Sequence, residues 1–391
     1  MSLNQTLVQG LASSSAIRKM FEEGNRRAQL YGADQVFDFS IGNPVFEPPA
    51  EVHAALVKLA QEDQPGSHRY MPNAGFPEVR AFLAGQLAQE TGLGFDQNDI
   101  LMTCGAGGGL NVALKTLLNA GDEVLVLAPY FVEYDAYIQN HGGLPVRVET
   151  TPNFRPDLAA IAQAITPRTK AMIINSPNNP TGAVYSAQEL ADLGRLLLQK
   201  SKEVGHWITL ISDEPYKRIA YVDQVPSPFA AYPHSLVVTS YSKDLALPGE
   251  RIGYLAVSPN HGERALLMQC AAVALRTLGF VNAPALWQRL LPLVGQARVD
   301  LAPYRTNRDV LVSGLRGFGY PVVEPEGAFY LFVKCPGDEA SFIAAAQEKN
   351  LLLVPGSAFA RAGYFRIAYC FATERVQKAL PIFGQLLREL A

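Results

Sequence analysis

The sequence predicts an α/β fold: a large unit built on a mostly parallel, seven-stranded sheet flanked by helices, followed by a smaller α+β unit. Three observations predict it. Seven short apolar runs between Ile100 and Val257 end in turn residues and alternate with stretches of helical periodicity. A length of 391 residues exceeds what one small core needs and implies two or three units. Apolar residues make up 48% and charged residues 18%, which suits a large buried interior.

In chain order, a helix is expected over Ser15–Gln29 and a strand over Val36–Ile41, the latter ending in Gly-Asn-Pro. Residues 50–62 and 77–90 carry apolar positions at helical spacing with few breakers. Ile100–Thr103 reads as a strand, and the GAGGG after it turns the chain into a helix reaching about Leu118. Strand Val124–Ala128, helix 131–140 and strand Pro145–Val148 follow. Ala171–Ile174 is a buried strand ending in SPNNPTG, and Ser186 is an N-cap for a helix reaching Lys202. Ile208–Ile211, Leu236–Thr239 and Gly253–Val257 complete the seven. Strands alternating with helices form βαβ units and hence a parallel sheet.

A connecting helix is expected over about Pro284–Leu315. Beyond it, Tyr320–Val323, Phe329–Val333, Leu351–Val354 and Phe365–Tyr369 read as strands, and 339–349 and 373–390 as helices. The expected division is an N-terminal arm with part of the smaller unit (1–48), a large ligand-binding unit (49–285) and a small C-terminal unit (286–391).

A net charge of −3 without basic runs argues against nucleic-acid binding. No run of eighteen apolar residues is present, so no membrane-spanning helix is expected. The opening MSLNQTLVQG lacks the basic-then-apolar order of a signal peptide. Four scattered cysteines without C-x-x-C spacing suit a reducing cytoplasm. Six histidines without H-E-x-x-H or close pairing give no zinc site, and no metal is expected.

Open α/β sheets bind ligands beyond the carboxyl ends of their strands, and the chemically unusual residues fall there. After strand 100–103 comes Gly105-Ala106-Gly107-Gly108-Gly109-Leu110, a turn whose glycines let backbone approach an anion at a helix start. Leu110 replaces the last glycine of a dinucleotide fingerprint, and no Walker lysine follows. After 171–174 comes Asn175-Ser176-Pro177-Asn178-Asn179-Pro180-Thr181-Gly182, after 208–211 Ser212-Asp213-Glu214-Pro215-Tyr216, and after 236–239 Ser240-Tyr241-Ser242-Lys243 with Arg251 nearby. Each alone also reads as an ordinary turn, cap or surface ion pair. Ser240-x-x-Lys243 fits a serine acyl-enzyme signature too, but its Ser-Asp-Asn and Lys-Thr-Gly companions are missing.

Taken together, the strand ends offer an anion-binding turn with an arginine, a lysine able to form a Schiff base, and an aspartate able to pair with a pyridinium nitrogen. That is the inventory for pyridoxal 5'-phosphate (PLP). The chain in fact resembles the fold-type I, class I/II aminotransferases over nearly its whole length. The resemblance rests on Ser40-Ile-Gly-Asn-Pro44, Tyr70-x-Pro72-x-x-Gly75, Gly105-Ala106-Gly107, Asn179-Pro-Thr-Gly182, Asp213-x-x-Tyr216, Ser240-x-Ser242-Lys243 with Arg251, and Phe365-Arg366, in that order.

The resemblance implies a homodimeric aminotransferase with Lys243, Asp213 and Tyr216 as catalytic residues. Lys243 would carry the Schiff base and shuttle the proton, and Asp213 would pair with the ring nitrogen. Asn179 and Tyr216 would bind the ring's phenolate oxygen, and Phe131 would stack on the ring. Ser240, Ser242, Arg251 and the backbone of Ala106 and Gly107 would hold the phosphate. Arg366, with Asn179 and Gly42, would grip the substrate α-carboxylate. Tyr70 would reach the phosphate in the neighbouring subunit, so the two sites would share residues. The turn departs from the family's usual pattern in offering no side-chain hydroxyl or carboxamide, only Ala106, Gly107, Gly108 and Gly109.

The implied reaction is a ping-pong transfer between an L-amino acid and a 2-oxo acid, with aspartate and 2-oxoglutarate favoured. Aromatic or kynurenine-type amino acids, or C–S lyase chemistry, are the alternatives. Retention of Arg366 and Gly42 counts against decarboxylation. A non-catalytic effector-binding regulator domain is the remote alternative, for which the motifs, starting at residue 40, leave no room. Arg18 is a candidate substrate-facing residue.

Overall fold

The computed structural model describes residues 16–390, together with residues 3, 5 and 8. Seven strands form the main sheet: β2 (Ile100–Thr103), β3 (Glu123–Ala128), β4 (Leu144–Glu149), β5 (Thr169–Asn175), β6 (Thr209–Asp213), β7 (Ser235–Ser240) and β8 (Gly253–Val257). They follow β1 (Phe37–Asp38), a short strand elsewhere. The spatial order is β2-β8-β7-β6-β5-β3-β4, parallel throughout except for β8.

Helices cover both faces, and this explains the nearly continuous apolar sequence of the central strands. In β3, Val124, Val126 and Ala128 point to the core formed with helices Gly105–Leu117 and Arg264–Thr277, while Leu125 and Leu127 point to the core under Ala187–Val204. Ser186 caps that last helix through a reciprocal capping box with Glu189. Among the described residues no helix is long and apolar enough to cross a membrane.

The C-terminal third builds β9 (Tyr330–Lys334), β10 (Leu351–Leu352), β11 (Val354–Pro355) and β12 (Tyr364–Ala368). The sheet β11-β12-β9 is antiparallel, and β10 pairs in parallel with β1. A second core of Phe329, Leu331, Phe342, Phe365 and Phe383 joins these strands to helices Ala302–Phe318 and Thr373–Leu390.

Several expected elements change. The strand over Val36–Ile41 shortens to Phe37–Asp38, because Asp38 turns back to accept the Ser40 backbone N–H at 2.9 Å. The connecting helix is broken into Ala285–Val294 and Ala302–Phe318, with Gly295 at φ 55° ending the first. Tyr320–Val323 forms no strand, as Pro321 cannot donate to a ladder. Leu351–Val354 divides between two sheets. Helices Leu158–Ala164 and Arg264–Thr277 were not anticipated. The expected first helix is Ala16–Tyr31, with Ser15 outside the described residues.

Register places the site. Asn175 pairs with Asp213 across β5 and β6, Asp213 with Val238 on β7, and Ser240 with Gly253 on β8. Asn175, Asp213 and Ser240 thus end adjacent strands at one edge, where Gly105 also leaves β2.

Candidate active site

At that edge lies a cleft of about 360 Å³. It brings together every expected site residue except Tyr70, which is 89% exposed and stands outside it. The Arg18 side chain lies outside the described residues.

Asp213 lines this cleft and is buried. Its Oδ2 accepts the Tyr134 hydroxyl at 2.5 Å, and among the described residues its Oδ1 has no partner. Asn175 donates to the Asp213 carbonyl at 2.7 Å and accepts the Asn179 backbone N–H at 2.7 Å, tying two strand ends together. Burial pushes the Asp213 carboxyl up to about 7, against the Tyr134 hydrogen bond and with the neighbouring Glu214 charge. An orphaned buried carboxylate oxygen is costly and calls for an N–H or cationic partner.

This makes a pH-dependent stability difference the expected result for Asp213→Asn in cofactor-free protein. The folded carboxyl titrates near 7, and the unfolded one near about 3.9. The raised group's contribution is fully present below the unfolded value and is lost as pH rises through 7. The neutral asparagine loses nothing over that interval. Urea titrations at acidic and alkaline pH should show the variant gaining on wild type by a few kcal/mol, to order of magnitude. An offset independent of pH would refute the assignment.

Lys243 follows β7, and its Nζ donates to the Gly42 carbonyl at 2.7 Å. Burial lowers its ammonium to about 8; the nearby Cys370 opposes this, and Arg366 and Arg251 add to it. A lysine so placed exposes far more free amine near pH 8 than an ordinary lysine does.

The anion cradle lies beside it. Gly105, at φ 70°, opens helix Gly105–Leu117. That backbone conformation favours glycine, and a Cβ there would lie 2.8 Å from Arg251 Nη2, so the guanidinium packs directly against the turn. Arg251 is itself in the left-handed region (φ 52°) after the turn Pro248–Glu250, and it donates to the Pro248 carbonyl at 2.9 Å. Ser240 donates to Ser242 at 3.1 Å, and the backbone of Ala106 and Gly107 completes the wall. Helix N-terminus, arginine and hydroxyls converge where a phosphate would sit.

Arg366, in the middle of β12, is 2% exposed. Its guanidinium lies between the rings of Tyr330 (4.6 Å) and Phe359 (4.7 Å) and donates to Asn179 Oδ1 at 2.9 Å and to the Ser40 carbonyl. Its Nε is unpartnered, and among the described residues no carboxylate pairs with it. A buried guanidinium without a counter-ion suits an anionic ligand. Phe131 lines the wall above Asp213, edge-on to Tyr134 at 5.7 Å. Tyr216 is buried, its hydroxyl 2.9 Å from that of Tyr330.

The sequence reading missed three contributors. Asn175 was legible in principle, since it ends its strand as Asp213 ends the next. Tyr134 follows Phe131 by three residues, but Phe131 precedes the helix Glu133–Asn140, so helical spacing does not by itself set the two on one face. Tyr330 sits in β9, where nothing local marks it.

Sheet edge, lysine, orphaned aspartate and anion cradle together fit the architecture of a PLP-dependent enzyme. The model of the family "Aminotransferase class I and II" matches residues 34–382, and the chain belongs to that family. It is 37% identical over 359 residues to the aspartate/prephenate aminotransferase of Thermus thermophilus, covering 88% of this chain and 89% of that protein. An amino transferase structure from Eubacterium rectale superposes with a TM-score of 0.97 at 38% identity, over 100% of this chain and 99% of that one. The Thermus thermophilus aspartate aminotransferase with maleate gives 0.86 at 31% identity, over 99% and 100%. The protein is therefore an aminotransferase.

Proposed function

We propose that this aminotransferase holds PLP in the cleft and moves an amino group between an L-amino acid and a 2-oxo acid in two half-reactions, with aspartate and 2-oxoglutarate preferred. The observation carrying the reading is the coincidence, in one cleft of about 360 Å³, of an amine-poised Lys243, an unpartnered Asp213 oxygen and a buried guanidinium without a counter-ion. When bound, PLP supplies an aldehyde for covalent capture of an amine and a ring that accepts electrons.

The chain's residues divide the remaining work. Arg251, Ser240, Ser242 and the amides at Ala106 and Gly107 bind the phosphate. Asp213 Oδ1 would take the ring N–H, which would offset its burial cost, while Tyr134 fixes Oδ2. Asn179 and Tyr216 would hold the ring oxygen, and Phe131 would pack against the ring, all three lining the cleft. Lys243 Nζ would leave the Gly42 carbonyl when it bonds the cofactor's aldehyde carbon and, once displaced by the substrate amine, would take the proton from the substrate α-carbon and deliver it to that aldehyde carbon. Arg366 orients the α-carboxylate, its fork held flat between two rings.

The preference for aspartate draws support from the relatives' names and from maleate, a four-carbon dicarboxylate, in the Thermus structure. The exposed Tyr70 suits a homodimer in which it serves the neighbouring site. The four free thiols suit a cytoplasmic enzyme.

Initial rates with paired amino and oxo acids test the reading. Parallel double-reciprocal lines, with kcat/KM for aspartate exceeding that for tyrosine, phenylalanine and kynurenine, are expected. Intersecting lines would overturn the two-step scheme. Faster turnover of aromatic or kynurenine-type substrates would reverse the substrate order, and pyruvate from cysteine analogues without an oxo-acid acceptor would indicate a C–S lyase.

A further inference from the structure

Tyr330 touches three groups to which the reading above gives roles. Its hydroxyl is 2.9 Å from that of Tyr216, and its ring lies 4.6 Å from the Arg366 guanidinium. A methyl added at Gly42 would fall 1.9 Å from the same hydroxyl, so Tyr330 also abuts the backbone whose carbonyl holds Lys243. The Tyr216 ring is fixed edge-on to Phe329 (5.5 Å, 90°) and to Tyr330 (5.6 Å, 83°).

Each phenol carries one hydrogen to donate. If Tyr216 gave its hydrogen to Tyr330, none would remain for a ligand oxygen in the cleft. The opposite polarity leaves it free. The geometry favours that polarity: the Arg366 guanidinium lies 4.6 Å from the Tyr330 ring and acts most directly on the Tyr330 hydroxyl, making it the more acidic of the two. Burial pushes both phenols above their ordinary value, and the Arg366 charge opposes this at both, foremost at Tyr330. The more acidic phenol is the better donor.

We propose that Tyr330 is a positioning residue: its hydroxyl donates to Tyr216 and so directs the Tyr216 hydrogen into the cleft, while its ring holds the Arg366 guanidinium flat for the substrate carboxylate. This rests on PLP occupying the cleft. A hydrogen bond to the charged form of an acid stabilises that form, and a donor chain strengthens its terminal bond. Deleting the Tyr330 hydroxyl therefore weakens Tyr216 as a donor to the ring oxygen, and the proton held near that oxygen leaves at higher pH.

The test is a spectrophotometric pH titration of PLP-loaded wild type, Tyr330→Phe, Tyr216→Phe and the double variant. Tyr330→Phe should raise the midpoint of the visible band by about half a pH unit or more. The double variant should match Tyr216→Phe alone, since one residue acts through the other. The amino-acid KM should stay near wild type in Tyr330→Phe and rise about tenfold in Tyr330→Leu, which loses the aromatic face over Arg366. An unmoved midpoint in Tyr330→Phe, or shifts that add in full in the double variant, would overturn the proposal while leaving the cofactor reading intact. Wild type that develops no visible band with PLP would overturn the cofactor reading and this proposal with it.

Discussion

Replacing Lys243 with alanine is expected to lower kcat by about ten-thousand-fold or more, because one side chain supplies both the nucleophilic amine and the proton transfer. The folded protein should survive. Nζ makes a single hydrogen bond, to the Gly42 carbonyl. The ammonium, lowered to about 8 by burial, is costly to keep charged at pH 7. A lowered lysine value means that the folded state holds its proton less firmly than the unfolded chain, so the cost is fully felt below 8. Removing the amine relieves it and offsets the lost packing. Activity should collapse while the melting temperature of the cofactor-free protein stays level or rises. A variant retaining a tenth of wild-type turnover would refute the role of Lys243.

Arg366→Lys is the second large effect. Lysine keeps the charge but forfeits the planar fork and the stacking between Tyr330 and Phe359. It also leaves Asn179 Oδ1 and the Ser40 carbonyl without their donor. Charge-assisted hydrogen bonds contribute about 1.5–3 kcal/mol each, so losing a two-pronged grip, about 3–6 kcal/mol, predicts a fall in kcat/KM of roughly a hundredfold to ten-thousandfold. A rise in KM should carry most of it, for the amino acid and the oxo acid alike. A change under fivefold, or one confined to kcat, would mean that the α-carboxylate is held elsewhere.

The strand-end residues were readable because sheet geometry puts whatever follows a parallel strand at the ligand edge. That rule and the turn residues around them marked Asp213, Asn179 and Lys243 as candidates, and the family resemblance supplied the role expected of each. Tyr134 and Tyr330 lie within regular elements, and only long-range packing turns them toward the cleft. The same limit applies to the fold. Gly253–Val257 and the helix Thr373–Leu390 follow from local pattern. The break at Gly295 depends on a left-handed residue inside an otherwise helical run, and the division of Leu351–Val354 depends on which neighbours claim its backbone. Tyr70 depends on a second copy of the chain, a role that the resemblance implies and its exposure suits.

The central claim is that Lys243 Nζ bonds covalently to PLP in this cleft. Borohydride reduction of the PLP-loaded protein, followed by peptide mass mapping, tests it most directly. One reduced pyridoxyl phosphate adduct per chain, located on Lys243 and lost when excess aspartate is added before reduction, is the expected result. An adduct on another lysine, or no adduct on a protein that transaminates, would contradict the account.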